Sequence, residues 1–159
     1  MNRKSLSITM IATLAVALLV TAGCKSGGMA LTSRGQLLKI NIEGANELPD
    51  GATQDLVVKI GNRGVKNVKD VLVDVDLPSE LSVLSQTSDR GINAMHDPGS
   101  LSYHFTLGNV QPGEDASIRF AVRTAFGSVD HTGDIKVTAW QKDLPNDRLV
   151  ETRNIRLRR

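Results

Sequence analysis

The chain has a single cysteine and 3 % aromatic residues among its 159 residues. One cysteine excludes an internal disulfide, and there is no second cysteine for a zinc site. No stretch beyond the first 23 residues carries a 3.6-residue apolar stripe of helical length, so a helical or βαβ architecture has no support. The longest apolar run, Ile8 to Val20, is too short for a membrane span, which needs roughly 20 residues. Catalytic signatures are missing as well: there is no G-x-S-x-G, GxxxxGK, G-x-G-x-x-G, HExxH or HxH. Ser, His and Asp all occur, yet nothing local joins them into a triad.

What is present begins with an address. Arg3 and Lys4 precede the apolar run, and Thr21-Ala22-Gly23 leads directly to Cys24, which reads as a signal peptide over residues 1–23. Small residues followed at once by Cys resemble the lipobox of bacterial lipoproteins. That resemblance implies acylation of the Cys24 thiol and, after cleavage, of its amine, which gives a stable membrane anchor. Thr21 stands where the lipobox prefers Leu or Val. Lys25, rather than Asp, after the cysteine resembles the Gram-negative sorting signal for the outer membrane. The signal removes two basic and no acidic residues, which leaves 17 of each sign and no electrostatic case for nucleic acid. Residues 24–35 are small and polar, and Lys25 to Arg34 reads as a flexible tether of about 35 Å at full stretch.

Residues 36–159 read as one all-β domain. The clearest strand is Asp70 to Leu77. Val71, Val73, Val75 and Leu77 point one way, Asp70, Leu72, Asp74 and Asp76 the other, and Pro78 stops the ladder. The same two-residue period marks strands around Leu38–Ile42, Leu56–Ile60, Leu81–Leu84, Tyr103–Leu107, Ile118–Val122, Ile135–Ala139 and Leu149–Leu157. Seven or eight short strands separated by turn signals predict an antiparallel β-sandwich with one core. Two loops stand out, Ser85 to Leu101 and Phe126 to Thr132. The first exceeds the usual connection length.

Three segments carry a family resemblance: Asn62-Arg63-Gly64, Asp76-Leu77-Pro78 with Glu80-Leu81-Ser82-Val83, and Leu107-Gly108-Asn109-Val110-Gln111-Pro112-Gly113-Glu114. In order and spacing they resemble a bacterial conserved-repeat domain of unknown function, related to the bacterial cell-adhesion sandwich. The resemblance implies an immunoglobulin-like sandwich on a bacterial envelope protein, in a single copy and with no catalytic residues. The same residues have plain structural uses. Gly64 and Gly113 permit positive φ, Pro112 fixes a turn, and Asn62 can bond nearby backbone.

Candidate sites are few. Asp74, Asp76 and Glu80 read either as a solvated acidic face that discourages edge pairing or as calcium ligands without EF-hand spacing. Asp89, Arg90, Met95, His96 and Asp97 sit in the long loop, where they could meet a partner or merely form a mobile connection. His104 falls on an outward position. Trp140 shares a face with Lys136 and Thr138, and is either an interface anchor or is covered by a neighbouring loop or arginine. The arginines at 153, 156, 158 and 159 suit charged edge protection or contact with anionic headgroups. The chain thus reads as a lipid-anchored, non-catalytic structural or interaction module, its partner another envelope protein or a glycan, with no cofactor. A calcium- or glycan-binding domain using residues 85–101 or the Asp74/Asp76 face is the alternative, and a hydrolase is the third reading.

Overall fold

The described residues form eleven strands: β1 (Met29–Thr32), β2 (Gln36–Glu43), β3 (Glu47–Pro49), β4 (Thr53–Asn62), β5 (Val68–Asp76), β6 (Leu81–Ser88), β7 (Met95–His96), β8 (Ser102–Val110), β9 (Asp115–Thr124), β10 (His131–Gln141) and β11 (Leu144–Arg158). This is a computed structural model, and it describes residues 29–32, 36–90, 95–96, 99–124 and 130–158. The signal segment, Cys24, Asp97 and most of the Phe126–Thr132 loop lie outside the described residues.

The strands form two sheets, β1-β2-β4-β9-β6 and β3-β11-β10-β5-β8-β7. Every pairing is antiparallel except β3 with β11. The result is the expected all-β sandwich with an immunoglobulin-like layout. Each of the eight expected strands is present.

The core forms where the two inner faces meet. Val71, Val73 and Val75 are fully buried, and Leu77 nearly so. Ile40, Val58, Ile60, Ile118 and Phe120 face them from the other sheet with no more than 1 % exposure. Phe120 of β9 makes edge-to-face contacts with Tyr103 and Phe105 of β8, with ring centroids 5.3 and 5.7 Å apart, and so ties the sheets together. β5 ends as expected: Leu77 donates its N–H to Leu101, and Pro78 turns the chain so that Leu81 N–H reaches the Pro78 carbonyl.

Four local features differ from the expectations. β6 runs to Ser88, so the long loop begins at Asp89, and β7 pairs part of it with β8. Ser85–Ser88 forms an edge strand paired only with β9, so it does not need an alternating apolar pattern. Met29–Thr32, inside the segment assigned to the tether, pairs with β2 from Met29 opposite Lys39 to Thr32 opposite Gln36. Gly113 does have positive φ, at 78°, but Gly64 does not; its N–H instead donates to Asn62 Oδ1 in a side-chain turn. Positive φ occurs instead at a bulge, where Lys69 and Asp70 stand against Asn109 alone; Asp70 has φ 48°, and Gly108, opposite Val71, has φ 66°. Asp70 N–H donates to Asn109 Oδ1 and its carbonyl accepts from Lys142 N–H, which together hold that conformation.

Candidate functional site on the outer face of the six-stranded sheet

The residues that alternate with the core positions of β8, β5, β10 and β11 form the outer face of the six-stranded sheet. Cross-strand pairing sets them in rows. One row runs from Met95 through His104, Asp74 and Thr138 to Val150. A second holds Thr106, Leu72 and Trp140, and a third Ser102, Asp76, Lys136 and Thr152.

The first two rows keep apolar side chains out of the core. Met95 is 70 % exposed and Val150 47 %, at opposite ends of one row. Leu72 and Trp140 are half-buried in the next. The Arg148 guanidinium lies over the Trp140 ring, 4.6 Å from its centroid. Trp140 is therefore partly covered by an arginine, which lends the indole face a cation without burying it. Val150 and Arg148 were not foreseen, although a signal existed: Leu149 and Val150 are adjacent in a strand, so one of them must point outward.

Polar groups fill the rest of the face. His104 Nδ1 lies 2.6 Å from Asp74 Oδ1, and the Ser102 hydroxyl donates to Asp76 Oδ1. Lys136 Nζ is 4.0 Å from Asp76. Glu80, beyond the strand end, pairs with His131 Nε2 at 3.0 Å. Partial burial pushes the Glu80 carboxyl up, but bonds from its own N–H and the Ser79 hydroxyl, with the charge of His131, outweigh this and hold it below its ordinary value. Asp74, Asp76 and Glu80 thus each have a different partner. Among the described residues no group of three or more His, Cys, Asp or Glu side chains is placed to hold a metal ion.

The loop residues lie apart from this face or at its margin. Asp89 and Ser117 exchange two hydrogen bonds, with Asp89 N–H to Ser117 O and Ser117 N–H to Asp89 Oδ2. Arg90 pairs with Glu114 at 2.5 Å, and Gln111 N–H donates to the same carboxyl at 2.8 Å. That N–H, and then Arg90, hold the Glu114 carboxyl below its ordinary value. Asp89 therefore ties the end of β6 to β9, and Arg90 ties it to the β8–β9 turn. His96 is exposed, bonds the Ser100 carbonyl at 2.6 Å and rests on the Tyr103 ring at 4.6 Å.

No protein-family model matches the chain, and no curated protein does. Solved structures do resemble it. A chain of a type I cohesin–dockerin complex from Clostridium thermocellum is 12 % identical with a TM-score of 0.54, over 76 % of this chain and 93 % of that one. A CARDB domain from Pyrococcus furiosus, solved in complex with di-metal ions, is 16 % identical with a TM-score of 0.50, over 80 % and 92 %. AvmM, which catalyses macrocyclization in alchivemycin A biosynthesis, is 13 % identical with a TM-score of 0.52, over 84 % and 97 %. At these identities the likeness shows the sandwich fold alone, a fold that serves protein binding and catalysis alike.

Proposed function

We propose that this chain is a bacterial envelope lipoprotein, acylated at Cys24, whose immunoglobulin-like domain binds a protein partner and catalyses nothing. The observation that carries the binding reading is the outer face of the six-stranded sheet. Leu72, Trp140, Val150 and Met95 are held there by strand pairing, in neighbouring rows with polar groups between them. Rigid, partly apolar surfaces with a Trp–Arg centre are the usual form of a protein-binding hot spot. The cohesin-like neighbour is a protein-interaction module, which supports the same reading. The anchoring half rests on the basic start, the apolar run and Cys24, and Lys25 favours the outer membrane. The conserved-repeat resemblance agrees with an envelope location.

The test is crosslinking in cells with the wild type, Cys24→Ala and Trp140→Ala, followed by mass spectrometry. One envelope protein should be captured by the wild type and lost with Trp140→Ala, while Cys24→Ala should leave the membrane fraction. Equal capture by Trp140→Ala removes this face from the proposal. A wild type without acyl chains removes the anchor. The calcium reading has less support, because its three carboxylates are engaged separately; an unchanged melting temperature on adding calcium is the expected result.

A further inference from the structure

We infer that one side of the sandwich is held against the membrane: the side made by β1, β2, β3 and β11, at its β2–β3 end. The inference rests on the acylation of Cys24 proposed above. Three observations lead to it.

The first is the direction of β1. Met29 is opposite Lys39 and Thr32 opposite Gln36, so β1 forms the outer edge of the five-stranded sheet, with its first residue, Met29, at the end nearer Glu43. The second is length. Only residues 25–28 separate Cys24 from Met29, so the two lie no more than about 17 Å apart. From the level of Lys39 to that of Gly44 along β2 is also about 17 Å. An anchored Cys24 therefore holds Met29, and with it the β1 edge, within about 17 Å of the headgroups. The other side, closed by β6 in one sheet and β7 in the other, is about 19 Å further away across the four strand spacings of the five-stranded sheet.

The third observation is charge. An open cleft of about 900 Å³ lies along this side, lined among others by Lys39, Glu43, Lys59, Glu151 and Arg153. Lys59 pairs with Glu43 and, nearby, Arg158 with Glu47. Lys39, Arg153 and the exposed Arg156 pair with no carboxylate among the described residues. Arg153 instead donates to the carbonyls of Ile42 and Gly44 and to Asn46 Oδ1, which fixes a cation at the cleft's lower end. Cations that pair with no carboxylate among the described residues, held close to a bilayer, favour anionic headgroups. The far side has a different character. Ser82 to Ser88 of β6 holds no charge, and Leu84 and Met95 are 55 % and 70 % exposed.

The experiment uses the full acylated protein in vesicles of phosphatidylethanolamine and phosphatidylglycerol that carry a lipid-borne quencher near the headgroups. Acylation occupies the native thiol, so a fluorophore can be placed at one introduced cysteine: Lys39→Cys or Arg156→Cys on the near side, Leu84→Cys or Met95→Cys on the far side. Near-side labels should be quenched several-fold more strongly than far-side ones. Equal quenching at the four positions, or stronger quenching at Leu84→Cys and Met95→Cys, overturns the orientation. Mass spectrometry of the same sample separates the two levels: unacylated protein that leaves the vesicles overturns the lipoprotein reading itself, whereas acylated protein with uniform quenching overturns only the orientation.

Discussion

Asn62 is fully buried, and its amide makes three bonds that no apolar side chain could replace. Its Nδ2 donates to the Lys66 and Val110 carbonyls, and its Oδ1 accepts the Gly64 N–H. The residue thus closes the β4–β5 turn on itself and fastens it to the end of β8. Truncation strands two carbonyls and an amide, and the bond lost to Val110 is a buried one. Asn62→Ala should lower unfolding free energy by about 2–3 kcal/mol, read as a shifted urea midpoint at unchanged slope. A loss below a few tenths of a kcal/mol would mean that water takes over those bonds. Glu80 and Glu114 act at the same scale. Both have folded pKa values below the ordinary 4.5. A carboxyl depressed by folding adds stability that is complete above its unfolded value and is lost as pH falls through the folded one. Stability should therefore decline below about pH 4.5, and Glu80→Gln combined with Glu114→Gln should flatten that decline. An unaltered acid limb in the double variant would assign it to other carboxylates.

At the scale of strands, periodicity found what burial dictates and missed what it does not. The alternation over Val71–Leu77 is visible because one face of β5 is wholly inside, and the same holds for β2, β4, β8, β9 and β10 over most of their length. β3 and β7 have three and two residues, too few for any period to show, and β1 has four. The second half of β6 contributes few apolar groups and hides in a polar run. The candidate face was half legible for a similar reason. The outward placement of Leu72, Asp74, Asp76 and Trp140 follows from alternation, whereas their neighbours His104, Arg148 and Val150 come from other strands whose register sequence does not reveal. Between elements, close approach leaves marks of its own. Gly133 of β10 lies against Pro78 where β5 ends, and a Cβ on it would come within 2.7 Å of the Pro78 ring. Gly133→Ala should therefore push the β5 exit off β10 and cost about 1–3 kcal/mol, as overpacking does. A melting temperature equal to the wild type would show that the Pro78 turn yields freely.

At the scale of the molecule, the two sheets share one core, so neither should unfold alone. Phe120 is the test position: it is fully buried on β9 of the five-stranded sheet and touches Tyr103 and Phe105 of the six-stranded one. Trp140, the single tryptophan, lies in the six-stranded sheet and reports on it by fluorescence. Far-ultraviolet circular dichroism reports on the strands of both. Phe120→Ala removes a ring wedged between the layers and should cost about 3–5 kcal/mol, a large part of the 5–15 kcal/mol that holds a typical domain together. If the core is one cooperative unit, the fluorescence and dichroism transitions in urea coincide in the wild type, and both move to lower urea by the same amount in Phe120→Ala. If they separate, with the tryptophan signal persisting after part of the dichroism is lost, the six-stranded sheet stands without its partner. That outcome would also bear on binding, because Trp140, Leu72 and Val150 are positioned by the pairing of β5, β10 and β11. A six-stranded sheet stable by itself would keep the proposed interaction face intact while the five-stranded sheet opened, whereas one cooperative core makes the proposed partner binding and the integrity of the whole sandwich rise and fall together.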